Sequence, residues 1–216
     1  MNTSFGKEGH SHHTVTTYQQ ARLQQADFLR KNVVEAAANL LQESAPETVT
    51  IRRIAEQMEC STKIIYNLFG SKKGLAKQLF LEGCQRLSQS FQAVDQTDPP
   101  HSLRDLADAY WYFAQSHRSF YKLMFGGAFI EFKPDEESYL GTITALKQVL
   151  DVVGEAMNQG LILASDSLLV VRMIWAPLHG VIDLYFGGHI GSQSEAKLLY
   201  DRVSKAVIES LFVSGD

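Results

Sequence analysis

Apolar residues recur at helical spacing along nearly the whole chain, and no stretch shows the sustained alternation of a half-buried strand. Ala26, Leu29, Val33, Ala37 and Leu40 form one stripe of a helix over about residues 20–42, with Arg22, Arg30 and Lys31 outside it. Ala45, Pro46 and Glu47 break that helix. Thr50 then stands where an N-cap belongs, ahead of Ile51, Ile54, Ala55 and Met58 at i, i+3, i+4 and i+7. After a tight connection at Glu59 and Cys60, Ser61 caps a third short helix carrying Ile64, Ile65 and Leu68. Gly70 ends it and Ser71 caps a fourth helix, which runs over about residues 72–94 through Leu75, Leu79, Leu87 and Phe91.

The run Asp95-Gln-Thr-Asp-Pro-Pro100 ends the fourth helix and marks a domain boundary. Beyond it the pattern predicts a helix over 103–116, a short aromatic segment over 120–125, and a loop from Gly126 to Ser138. One continuous helix follows over 139–157, on the stripe Tyr139, Ile143, Leu146, Leu150, Val153 and Met157. Two last helices are expected over 167–186 and 195–212, the first bent at Pro177. The fold class is all-α. The organisation expected is an N-terminal arm at 1–18, a small domain at 19–70, a connecting helix at 71–98 and a larger helical body at 99–216.

Composition narrows this reading. With 216 residues, 45% hydrophobic and 20% charged, 15 Gly and 5 Pro, the chain falls in the globular range and can bury a sizeable core. Cys60 and Cys84 have no paired spacing, so a disulfide framework and a zinc finger are both unreadable, and a reducing cytosol fits. The first twenty residues lack the apolar core of a secretory signal, and Arg172 and Asp183 cut the most apolar stretch, so a soluble cytoplasmic protein with no membrane partner is expected. The net charge of −4 is unevenly divided. Residues 1–90 hold 11 Lys and Arg against 8 Asp and Glu, whereas 91–216 hold 9 against 16, so only the N-terminal part is suited to approach a polyanion.

Two short helices joined by a tight turn, the second opening Ser-Thr-Lys, are the arrangement in which a helix-turn-helix lays its second helix in the major groove of double-stranded DNA. Thr62 and Lys63 fall at the end that meets base edges, with Asn67 one turn further on the outward face. Thr50, Ser61, Tyr66 and Lys72 lie at helix starts or rims, where hydroxyl and ammonium groups hold phosphates. From spacing alone, an ordinary capped helical hairpin fits as well.

The series Thr50-Ile-Arg-Arg-Ile-Ala-Glu-Gln-Met58, Ser61-Thr-Lys-Ile-Ile-Tyr-Asn-Leu-Phe69 and Ser71-Lys-Lys-Gly-Leu75 resembles the TetR family of bacterial transcription regulators. The resemblance covers about residues 20–85. It implies a three-helix DNA-binding head on a larger helical body that dimerises and holds a ligand, most often a repressor released from its operator by that ligand. Two positions depart from the family pattern: Glu59 replaces the usual turn glycine and is expected to strain the turn, and Lys63 replaces a small residue. Ala109-Tyr-Trp-Tyr-Phe-Ala114, Tyr121-Lys-Leu-Met-Phe125 and Trp175-Ala-Pro-Leu-His-Gly180 resemble a C-terminal domain named for its Trp-His-Gly motif, which implies a ligand-sensing body without naming its ligand.

Tyr110, Phe113, Met124, Phe125, Met157, Trp175 and His179 are the candidates to line an apolar pocket with one polar handle, for an unknown small apolar or aromatic effector. At each position alone, a core role competes. The last two helices are expected to build a homodimer, with Leu178, Leu199, Val203, Ala206 and Ser210 at the interface, and helix four to carry the signal between pocket and head. No catalytic residue, cofactor or metal is expected. The competing reading, a metal-dependent enzyme using His179 and Asp183, has only two ligands and none of the common catalytic motifs. His10, His12 and His13 read as part of a polar arm rather than a metal site.

Overall fold

The computed structural model describes residues 17–44, 49–126 and 133–213; the histidines of the N-terminal arm and residues 127–132 of the expected loop lie outside them. The described residues form ten helices: α1 (Tyr18–Glu43), α2 (Ile51–Gln57), α3 (Thr62–Phe69), α4 (Lys72–Phe91), α5 (Pro99–Ser116), α6 (Arg118–Phe125), α7 (Glu136–Ala145), α8 (Lys147–Asn158), α9 (Ser167–Phe186) and α10 (Gln193–Leu211). The helix starts follow from local chemistry. Thr17 and Gln20 form a capping box that begins α1 two residues earlier than periodicity suggests, and Pro99 and Pro100 open α5 where their missing N–H groups cost nothing.

The first three helices close around Val33, Ala37, Leu41, Ile54 and Ile65, each wholly buried. Burying the valine, leucine and isoleucine side chains stabilises by about 1.5–3 kcal/mol apiece. Ile64 departs from the expected inward stripe and faces outward: in the two-turn α3, Ile65 is the one fully buried residue, with Leu68 and Phe69 half-buried against the core.

Helix α2 ends in a Schellman motif: Glu59 N–H donates to Glu56 O at 3.2 Å and Cys60 N–H to Ala55 O at 2.9 Å. This geometry puts Glu59 at φ 50°, in the left-handed region. Helices α8 and α9 end in the same motif, but there glycine occupies the left-handed position, Gly160 at φ 71° and Gly188 at φ 80°. The expected strain at Glu59 is present in the backbone.

Helix α4 touches α1 and α3 near its start and α5, α6, α7 and α8 beyond, so it joins the small domain to the body. It ends at Phe91, one turn short of the expected Val94. Gly83 lets α6 approach closely, since a Cβ there would sit 2.6 Å from Met124 Sδ. The helix expected over 139–157 is in fact two. Leu146 interrupts it at ψ 2°, after Thr142 and Thr144 turn their hydroxyls back to the carbonyls of Ser138 and Leu140, a bonding pattern that bends helices.

Helices α5, α9 and α10 complete the body around Trp111, Phe113, Phe120, Tyr121 and Tyr200, all buried. Tyr200 O–H donates to Ala107 O at 2.6 Å, and Lys197 reaches Asp108 at 3.1 Å, so α10 is tied to α5 at adjacent positions. Helix α9 is long and apolar enough by composition to cross a membrane, at a mean hydropathy of 1.4, but its Val170, Ile174, Leu178 and Ile182 face the body.

Candidate functional site

The first candidate surface is the outer face of α3. Ile65 anchors the helix in the core, and this anchoring turns Thr62, Lys63, Tyr66 and Asn67 outward, where all four are exposed. Ile64 stands exposed beside them, an apolar member of the face that the helical stripe had assigned to the core. Thr50 Oγ1 accepts from Arg53 N–H at 3.2 Å and Ser71 Oγ from Gly74 N–H at 3.1 Å. Each cap uses an oxygen lone pair and leaves the hydroxyl proton to donate elsewhere. Ser61 holds the N-cap position of α3 with extended backbone but makes no side-chain cap bond, contrary to expectation. Arg52 and Arg53 are exposed on α2, Arg52 paired with Glu56 at 3.0 Å. Arg30 Nε donates to Leu68 O at 3.3 Å and ties α1 to the end of α3.

The second candidate is in the body. Trp175 Nε1–H donates to the Tyr110 hydroxyl at 2.9 Å, and His179 Nδ1 lies 3.3 Å from that hydroxyl and 2.5 Å from that of Tyr121. Burial lowers the His179 pKa and holds the Tyr110 and Tyr121 phenols well above their usual range. The His179 Nδ1 thus faces two tyrosine hydroxyls, and its ring packs against Phe125 and Trp175 with centroids 5.1 and 5.4 Å away. Tyr121 belongs to this network although only the Trp-His-Gly resemblance had drawn attention to it. The signal was its spacing from Phe125, since i and i+4 share a helix face.

Beside the network lies an apolar cavity of about 40 Å³, walled by Phe91 of α4, Leu103, Leu106 and Tyr110 of α5, Leu146 at the α7–α8 junction, and Trp175 of α9. No charged residue lines it. Of the expected pocket residues, Tyr110 and Trp175 reach the cavity, while Phe125 and His179 back it through ring contacts. Phe113, Met124 and Met157 do not. Phe113 packs against His117 and lines an open groove of about 600 Å³ with Asp95, Asp105, Asp108 and Tyr112; Met124 is spent on the α4 crossing at Gly83; and Met157 sits partly buried at the edge of the core. Helical spacing alone cannot separate residues facing a cavity from those facing another helix.

The third candidate is the outer face of α9 and α10. Leu199, Ala206 and Ser210 are exposed on it and Val203 is half-buried. Leu178 must be removed from it: this residue is buried within the chain and lines the cavity, on the opposite side of α9. Leu169, Met173, Leu184 and Leu198 are exposed apolar residues of the same two helices that the sequence stripe had missed.

Among the described residues no group of three or more His, Cys, Asp or Glu side chains could hold a metal ion, and His179 turns Nδ1 to tyrosine hydroxyls. Cys84 is buried, and desolvation pushes its thiol up to about 11, which suits a structural rather than a reactive role.

The family described as bacterial regulatory proteins, tetR family, matches residues 33–79, and the tetracyclin repressor-like C-terminal domain matches residues 103–207. Together they cover well over half of the chain. The HTH-type transcriptional repressor NicS of Pseudomonas putida is 28% identical over 109 residues, which are 48% of this chain and 50% of NicS, so the match spans about half the length of that relative. Among solved structures, a protein of unknown function from Rhodococcus sp. RHA1 superposes with a TM-score of 0.69 at 20% identity, over 94% of this chain and 99% of its own. The TetR family transcriptional regulator PfmR of Thermus thermophilus superposes with a TM-score of 0.57 at 19% identity, over 82% and 97%. These two similarities concern the fold.

Proposed function

The chain belongs to the tetR family of bacterial regulatory proteins, and from that premise we propose a homodimeric, cytoplasmic repressor that a small apolar effector releases from operator DNA. The observation that carries the DNA half is the α3 face, where Lys63, Asn67 and Ile64 stand exposed above a fully buried Ile65. Residues 19–70 are the head on this reading, 71–98 the connecting helix and 99–216 the body. Thr62, Lys63 and Asn67 read base edges, and Ile64 offers an apolar contact to a thymine methyl. Thr50, Ser61, Tyr66 and Lys72 grip phosphates.

The body supplies the second half. The cavity is apolar and uncharged, which suits a neutral molecule, because an ion would lose its hydration without a partner. At about 40 Å³ it is smaller than the roughly 150 Å³ that admits benzene, so binding must widen it. An effector that binds the widened form better than the closed one shifts the head's affinity by that difference, about 5–150-fold for 1–3 kcal/mol. The exposed apolar face of α9 and α10 pairs with its copy and sets two heads at groove spacing.

Selection from random double-stranded DNA tests the proposal, followed by titration of variants on the enriched duplex. Lys63→Ala should change base preference at one position by about 1–3 kcal/mol, whereas Tyr66→Phe and Lys72→Ala should weaken all sequences, Lys72→Ala lowering the salt slope by about 1. Failure of any motif to enrich at low salt would sink the reading.

A further inference from the structure

Helix α3 has little of its own to hold its direction. It has eight residues, short of the length at which a helix is stable alone. Ile65, near its middle, is its one fully buried side chain. The end that carries Thr62 and Lys63 is the looser one: Ser61 makes no side-chain cap bond, and the turn before it holds Glu59 in the left-handed region. The opposite end is tied. Gly70 N–H donates to Tyr66 O at 2.8 Å, and Arg30 Nε of α1 donates to Leu68 O at 3.3 Å.

Arg30 is held in turn. Asp27, one turn earlier on α1, accepts from Nη1 at 2.9 Å, which fixes the guanidinium on one side while Nε reaches across to α3. Leu68 O belongs to the last turn of α3, whose carbonyls have no partner within the helix. A guanidinium there satisfies it, and its charge suits the negative end of the helix dipole. This end governs the other. Leu68 and Thr62 each stand three residues from Ile65, about 4.5 Å along the axis. Tilting about the Ile65 anchor therefore carries a shift of Leu68 to Thr62 in equal measure and opposite direction, and Lys63 moves with it. Hydrogen bonds to base edges are confined to about 2.7–3.2 Å, so a shift of about 1 Å breaks them, whereas long side chains on phosphates follow the movement.

We propose that Arg30 is a positioning residue: held by Asp27, it pins the last turn of α3 to α1 and so sets the tilt at which Thr62, Lys63 and Asn67 meet the major groove. Its effect falls on discrimination between sequences and not on general affinity for DNA. This rests on the reading of α3 as the base-reading helix.

Titration of the enriched duplex and of a scrambled duplex of the same composition separates the two quantities. Arg30→Met keeps an unbranched side chain and removes its donors. It should bind the enriched duplex about tenfold more weakly and the scrambled duplex within about twofold of wild type, with the salt slope on the scrambled duplex unchanged. Arg30→Lys, which keeps a charged donor, should stay within about threefold of wild type on both. Asp27→Asn adds positive charge, so simple attraction would tighten both duplexes; release of Arg30 should instead weaken the enriched one about threefold. Equal weakening of both duplexes by Arg30→Met, with a salt slope lower by about 1, would make Arg30 a phosphate contact and overturn the proposal. Equal weakening with the slope unchanged, the mark of a less stable head, would overturn it too, as would wild-type discrimination in Arg30→Met. Should Arg30→Met not fold, the sign of the Asp27→Asn effect decides. If no duplex is enriched, the DNA reading has failed, and the tie is judged separately by hydrogen exchange in the free protein. Exchange at residues 66–70 should rise in Arg30→Met and not in Arg30→Lys, and unchanged exchange would overturn the tie.

Discussion

Replacing Glu59 with glycine should stabilise the protein. Glu59 sits at φ 50° in the same motif that Gly160 and Gly188 complete at φ 71° and 80°. The left-handed region costs an L-residue about 1–2 kcal/mol, through crowding of Cβ against the following carbonyl. Glycine escapes that cost but adds freedom to the unfolded chain worth about 0.5–1 kcal/mol. The net gain over Glu59→Ala, which removes the same carboxylate and keeps the strain, should be about 0.5–1 kcal/mol, or roughly 2–5-fold in the folding equilibrium constant. Urea unfolding followed by far-ultraviolet circular dichroism, on wild type, Glu59→Ala and Glu59→Gly, measures it. Thermal midpoints should rise by about 2–3 °C. The mirror experiment, Gly160→Ala, should lose about 0.5–1 kcal/mol by the same balance. If Glu59→Gly were no more stable than Glu59→Ala, the turn would hold a left-handed glutamate without strain, and the argument from the three matching helix ends would be wrong.

Leu199→Glu and Leu169→Glu should each shift the protein from dimer to monomer in sedimentation, because a carboxylate buried without a partner costs about 3–5 kcal/mol; Tyr112→Ser, an exposed change on α5, should not. A dimer that survives both glutamates would place the interface elsewhere. Acidification should destabilise the body. Burial lowers the pKa of His179 and, with help from Arg86, of His117 below the ordinary 6.5, so the unfolded chain takes up protons that the native state refuses as pH falls through that value. Stability should therefore decline as the pH falls through about 6.5, less steeply in His179→Gln, and equal slopes in the two proteins would refute the assignment.

Much of this protein was legible in the order of its residues. Helical periodicity located nearly every helix, since a stripe at 3.6-residue spacing has one stable use, burial of that face. The caps at Thr50 and Ser71 were readable for the same local reason, that a helix end must satisfy its own backbone within a few residues, whereas the strained turn at Glu59 was legible only through the resemblance to a family that places glycine there. The outward positions of Lys63, Tyr66 and Asn67 followed from the same periodicity. What chain order did not reveal is which neighbour each buried stripe meets. Phe113, Met124 and Trp175 look alike as apolar positions, yet one lines an open groove, one fills a helix crossing and one walls a cavity. Leu178 looked like an interface residue and faces inward because α9 has two apolar sides, and only packing against α5, α8 and α10 decides which is covered. The break at Leu146 and the reach of Lys77 across 58 residues to Asp135 are likewise products of assembly. Local rules act over one or two turns, whereas cavities, long-range ion pairs and buried faces arise where distant segments meet, and those meetings are settled by the fit of whole surfaces.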